Sequence, residues 1–142
     1  MADSGSTVHA MDVKKELPRY KHLVRPVPSR KKGRSAETAC GGKVEIEGEI
    51  DLTGEIDGAM HTIPFYDMQV SMPIASMRRT VKAGNDLLIT EEGGCITNRL
   101  TKQKIILHER CGVYFFKMKL LSPSQQPQKG SKSSTAGFHR QA

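Results

Sequence analysis

Within residues 43–52, Val44, Ile46, Ile50 and Leu52 alternate with Glu45, Glu47, Glu49 and Asp51. Apolar side chains at every second position share one face only if the chain is extended, so this run predicts a β-strand with one buried face and one acidic face. Coiled as a helix, the same residues would be scattered around the axis and could build no core. The acidic face reads as solvated. Gly48 interrupts the apolar face and marks either a bulge or the close approach of another backbone.

Turn chemistry then organises the flanks. Asp57-Gly58 suits a two-residue hairpin, so residues 60–70 are expected to return as a partner strand, packing through Ile63, Phe65, Met68 and Val70. Pro64 cannot donate to a ladder and assigns that strand to an edge or to irregular geometry. Upstream, Cys40-Gly41-Gly42 can form a tight hairpin tip. Ser76 as a cap, Met77 and Val81 four apart, and Gly84 as a stop predict one short helix within 73–84. Residues 87–90, 95–98, 104–108 and 113–121 read as short strands separated by turns, an antiparallel meander or small barrel. The fold class is therefore mostly β.

Composition sets limits on this core. Trp is absent and aromatics are 5% of the chain, so Ile, Val, Leu and Met must fill the interior. No apolar run approaches the roughly 18 residues of a membrane span, and the N-terminus lacks a signal-peptide pattern. The chain reads as intracellular and cytoplasmic, with no membrane partner. Cys40, Cys95 and Cys111 are odd in number and widely spaced, as free thiols would be. His9, His22, His61 and His108 contain no short-spaced pair, so no metal and no cofactor are expected.

The net charge of +7 is uneven: residues 12–34 hold nine Lys and Arg against two acids, whereas residues 35–121 hold ten against twelve. Pro18, Pro26 and Pro28 oppose regular structure in the basic stretch, which reads as a surface loop with Leu17, Tyr20 and Leu23 dipping onto the core. Arg30, Lys31, Lys32 and Arg34 are the residues there that could neutralise RNA phosphates. The organisation is a short segment 1–11, a basic loop 12–35, a β core 36–121, and a Ser-, Gln- and Gly-rich tail 122–142 expected to be disordered.

The candidate chemistry lies in the first segment. Asp3-Ser4-Gly5-Ser6 has the form D-[ST]-G-[AS], which resembles the active-site signature of aspartic proteases. Two carboxylates close enough to share one proton divide the labour: one acts as base on a water, the other as acid toward the scissile carbonyl. Gly lets the backbone approach its partner loop, and the small hydroxyl can hydrogen-bond across to it. Ser4 or Ser6 as a nucleophile beside His9 lacks a third orienting group and an oxyanion hole.

The ordered set of motifs extends this likeness. Residues 3–11 are similar to the D-S-G-A-x-x-H segment of the retropepsin-like protease domain of copia-type retrotransposon polyproteins, with His9 at the histidine position. Residues 42–52 resemble that family's post-flap strand, and Pro73-Ile74-Ala75-Ser76-Met77 its apolar-Ser-Val segment before the single helix. Ala83-Gly84 with residues 86–90, and Gly112 with Val113-Tyr114-Phe115-Phe116, resemble its later strands.

The resemblance implies a retropepsin-like acid-protease barrel with a flap hairpin whose tip is Cys40-Gly41-Gly42. It implies a catalytic set of Asp3, Ser4 and Gly5, a polypeptide substrate, and a homodimer, since the chain holds a single D-[ST]-G. Family members carry an apolar strand before the Asp; here Met1 and Ala2 stand there, so the resemblance is to an N-terminally truncated member. Ser76 stands where viral retropepsins have Gly. The other reading is a catalytically inactive remnant that binds through its basic segment.

Overall fold

The structure is a computed structural model that describes residues 1–3, 8–27, 35–37 and 43–127. The alternating run is extended as its period requires, in two pieces: β4 (Lys43–Glu45) and β5 (Gly48–Ile56). Ile46, Ile50, Leu52 and Ile56 are buried. The interruption at Gly48 is a close backbone approach: a Cβ there would lie 2.5 Å from Val24 Cγ1 and 2.9 Å from the Arg25 carbonyl oxygen. Arg25 changes the acidic face as well. Its guanidinium donates to Glu49 and to Asp51, each at 3.2 Å, so two of the four acids read as solvated are paired.

Asp57 and Gly58 take φ of 50° and 84°, the two positive values a tight hairpin demands. The chain returns as β6 (Ala59–Asp67), paired antiparallel with β5 along its whole length. Pro64 lies within this ladder opposite Asp51. The only described partner on the other edge is β2 (Ala10–Met11), which pairs parallel at Tyr66 and Asp67, beyond the proline. Pro64 thus sits where no N–H is required. Upstream, β3 (Ser35–Glu37) and β4 form an antiparallel hairpin.

The chain then makes β7 (Ala75–Ser76), the helix α2 (Met77–Lys82), and a meander of β8 (Asn85–Thr90), β9 (Gly93–Asn98), β10 (Lys104–Arg110) and β11 (Val113–Phe115). Gly84, at φ 101°, ends the helix. The expected closing strand 113–121 is divided between two sheets. β11 pairs with β10, whereas β12 (Lys119–Leu120) crosses to pair with β5. The six-stranded sheet runs β7-β1-β11-β10-β9-β8, with β1 at Ala2–Asp3, and the four-stranded sheet runs β12-β5-β6-β2. Two pairings, β1 with β7 and β2 with β6, are parallel, where only an antiparallel sheet was expected.

The molecule is mostly β, and its core lies between the sheets. Ile50, Leu52, Ile56, Ile63 and Phe65 meet Ile96, Ile105 and Leu107 across it. Each such side chain contributes about 1.5–3 kcal/mol on burial, which lets an aliphatic core without Trp hold the fold. The Pro-containing segment is more regular than its composition suggests. Asp12 caps a short helix, α1 (Val13–Glu16), and Pro18 opens a 3₁₀ helix to Leu23, at a first-turn position that needs no N–H. Tyr20 is buried and Leu17 and Leu23 pack against the core, as their apolar character implies.

The segment read as a tail begins with a 3₁₀ turn, Pro123–Gln125. Gln126 then docks on β5. Its Oε1 accepts from Thr53 N at 2.8 Å, and its Nε2 donates to Thr53 O and Leu121 O. Residues 128–142 lie outside the described residues. Among the described residues, no helix is long and apolar enough to cross a membrane.

Candidate active site

Three residues, Ile74, Ala75 and Ser76, form the base on which the first segment is built. On one side, β1 pairs parallel with β7, setting Ala2 against Ala75 and Asp3 against Ser76, with Ala75 N donating to Met1 O. The other edge of β1 pairs antiparallel with β11, Ala2 against Tyr114. Asp3 therefore ends a short strand held from both sides. On the opposite side of the base, Ala10 and Ile74 exchange both backbone hydrogen bonds, at 3.0 and 2.8 Å. The chain thus leaves the base at Asp3 and returns to it at His9 and Ala10.

Ser76 sits at the junction of strand and helix and is fully buried. Its Oγ accepts from Arg79 N at 3.2 Å, capping α2, and its carbonyl accepts from Thr80 Oγ1 at 2.8 Å. Its amide donates to His9 Nδ1 at 2.8 Å. An accepting Nδ1 leaves the neutral ring's proton on Nε2. The ring is buried and lies 6.0 Å from Phe65, tilted by 56°. Burial first, and then the positive charge of Arg79, hold its pKa down at about 4. Arg79 itself lies 6.0 Å from the centre of the Tyr66 ring.

A second polar centre anchors the next stretch. Asp67, buried at the end of β6, accepts from Val13 N at 3.1 Å and from Lys21 Nζ at 2.6 Å. The hydrogen bond to Asp67 raises the Lys21 pKa above its usual value. This centre fixes α1 and the 3₁₀ helix against the sheet. Beside the start of β1 lies an apolar cavity of about 240 Å³, lined by Met1, Met11, Phe65, Ile74, Phe116 and Met118 among others.

Of the residues singled out in the sequence, Asp3 is described at its backbone as the last residue of β1. Ser4 and Gly5 lie outside the described residues, as do Cys40, Gly41 and Gly42 between β3 and β4, and Arg30, Lys31, Lys32 and Arg34. Cys95 and Cys111 are free thiols. Among the described residues, no three His, Cys, Asp or Glu side chains come together as metal ligands would.

The structure brings to Ser76, the register partner of Asp3, one group that sequence reasoning left without a role, the imidazole of His9. Its position six residues after the Asp was visible. Its partner, 67 residues away in the chain, was not. No family model matches the chain, and neither a curated protein nor a solved structure matches it.

Proposed function

We propose that this chain is the aspartic endopeptidase domain of a retroelement polyprotein, acting in the cytoplasm as a retropepsin-like homodimer. Each subunit supplies one Asp3 across a two-fold axis, as an isologous interface permits. The observation that supports this most is the backbone around Asp3. Asp3, the first residue of the D-S-G motif, ends a strand paired with Ala75 and Ser76, next to a capped helix, and Ala10 is bonded to Ile74 beside it. A chance Asp in a loose terminus has no reason to be held in this way.

In the mechanism, the two carboxylates share one proton because two like charges a few ångströms apart cannot both ionise. The ionised member takes a proton from water, and the protonated member donates to the scissile carbonyl. Ser4 and Gly5 shape the loop. An extended peptide is bound as an added strand beneath the hairpin of β3 and β4, through main-chain hydrogen bonds.

The test is cleavage of an unstructured polypeptide at about pH 4 to 7, the range open to a proton-sharing dyad. The natural chain is expected to cleave, and Asp3→Asn to lose roughly 10²–10⁴-fold in rate. Equal cleavage by both rejects Asp3 as catalytic. A folded chain that cleaves nothing rejects the enzyme, leaving an inactive binding domain whose basic segment at Arg30, Lys31, Lys32 and Arg34 contacts RNA.

A further inference from the structure

We propose that the apolar cavity beside β1 is a binding site for a small amphiphilic cation, a molecule with an aryl or alkyl body and an ammonium head. The inference does not depend on the protease reading. The cavity measures about 240 Å³ and is lined from both sheets. Leu52, Phe65, Met11 and Ala75, all buried, form its floor, and half-buried Leu17 and Met118 stand at its walls. Protein interiors rarely keep a void larger than a water molecule, because atoms facing empty space forfeit their dispersion contacts. An apolar cavity of about 150 Å³ is enough to hold benzene. By the same ratio this one has room for roughly ten carbon atoms. Methionine side chains line part of it, and their flexible thioethers can settle around a guest of irregular shape.

The head group follows from Glu16. It is exposed, and it is the one charged residue among those that line the cavity. The helix α1 presents it from a fixed place, since Asp12 caps the helix and Val13 N donates to Asp67. The nearest cation, Lys15 Nζ, lies 3.9 Å from Glu16 Oε1, beyond hydrogen-bond range. That ammonium donates to Ser71 O at 2.8 Å instead. A carboxylate at the mouth of an apolar space attracts a guest whose buried part is hydrocarbon and whose outer end is positive. It offers less to a neutral end and repels an anionic one.

The experiment titrates the full chain at low salt with 2-phenylethylamine, 2-phenylethanol and phenylacetate, which share one aryl body and differ in head-group charge. Affinity is read by calorimetry, and the place of binding by the methyl NMR signals of the methionines. Met11 and Met118 line the cavity, whereas Met68 belongs to a separate core cluster and serves as the control. The amine is expected to bind with a dissociation constant of about 1 mM or tighter, shifting Met11 and Met118 and sparing Met68. It is expected to bind roughly five-fold more tightly than the alcohol, the upper end of what an exposed ion pair contributes. Phenylacetate is expected to bind most weakly. Glu16→Gln should erase the preference for the amine, and Ala75→Leu, which fills the cavity, should abolish the methyl shifts.

The absence of a shift at Met11 and Met118 with every probe overturns the inference. So does an alcohol that binds the natural chain as tightly as the amine, because Glu16 then selects nothing. Amine binding that survives Ala75→Leu unchanged, or a preference that survives Glu16→Gln, refutes it as well. Should Ala75→Leu fail to fold, Leu17→Trp narrows the cavity from its wall and is read in the same way. A natural chain that binds no probe, and whose dimer dissociates on Ala75→Leu, would assign the cavity to a second copy and reject the cation.

Discussion

His9 shows how a single side chain's surroundings set a pH dependence for the whole molecule. Burial and Arg79 keep the ring neutral down to about pH 4, against 6.5 for a free histidine. Above pH 6.5 both folded and unfolded chains carry a neutral ring, and stability does not depend on it. As pH falls from 6.5 toward 4, the unfolded chain binds a proton that the folded chain refuses, so stability declines. At about 1.4 kcal/mol per pH unit, the loss over that window is about 3 kcal/mol. Urea unfolding at several pH values between 7 and 4 is expected to show this fall, and His9→Asn to remove most of it. An equal slope in both chains would refute the assignment. A protease built on this scaffold would meet its acid limit through folding as well as through its dyad.

At the scale of the element, one short join is β12. Two residues pair with β5 at Gly54 and Glu55, and the approach is close enough to require glycine. A Cβ on Gly54 would lie 2.5 Å from Lys119 O and 2.9 Å from Leu120 Cα, both backbone atoms with no rotamer to change. Gly54→Ala is expected to push β12 away and cost about 1–3 kcal/mol. The amide of Leu121, which donates to Thr53 O, should lose hydrogen-exchange protection before the amides of β9 and β10 do. Unchanged protection there would show that β12 can shift without detaching.

At the scale of the whole molecule, the proposed activity belongs to two chains. The sequence holds one D-[ST]-G, and a proton-sharing dyad needs two carboxylates. Specific activity per chain is therefore expected to fall on dilution through the dimer dissociation constant, and excess Asp3→Asn chains to suppress the natural chain by forming mixed dimers. Activity strictly proportional to concentration at every dilution, and indifferent to added Asp3→Asn, would rule out a shared site.

The sequence by itself determined what local chemistry encodes. The period of two over residues 43–52 placed Ile46, Ile50 and Leu52 inside. Asp57-Gly58 closed the hairpin, Ser76 capped the helix, Gly84 ended it, and Gly48 marked a close backbone approach. Asp3 was legible as a motif, because the D-[ST]-G pattern lies in adjacent residues.

Tertiary structure alone decided the pairings that gather the site. A two-residue strand has no period to read, so nothing local announces that Ala2 pairs with Ala75 or Ala10 with Tyr66. The same holds for the division of residues 113–121 between two sheets. The helices within residues 12–34 were hidden because Pro at a helix start and Pro in a loop look alike until the rest of the turn is seen. Arg25 on Glu49 and Asp51, Lys21 on Asp67 and His9 on Ser76 are contacts between distant parts of the chain. Their partners are chosen by which strands the buried apolar faces bring together, and that choice is a property of the packed core.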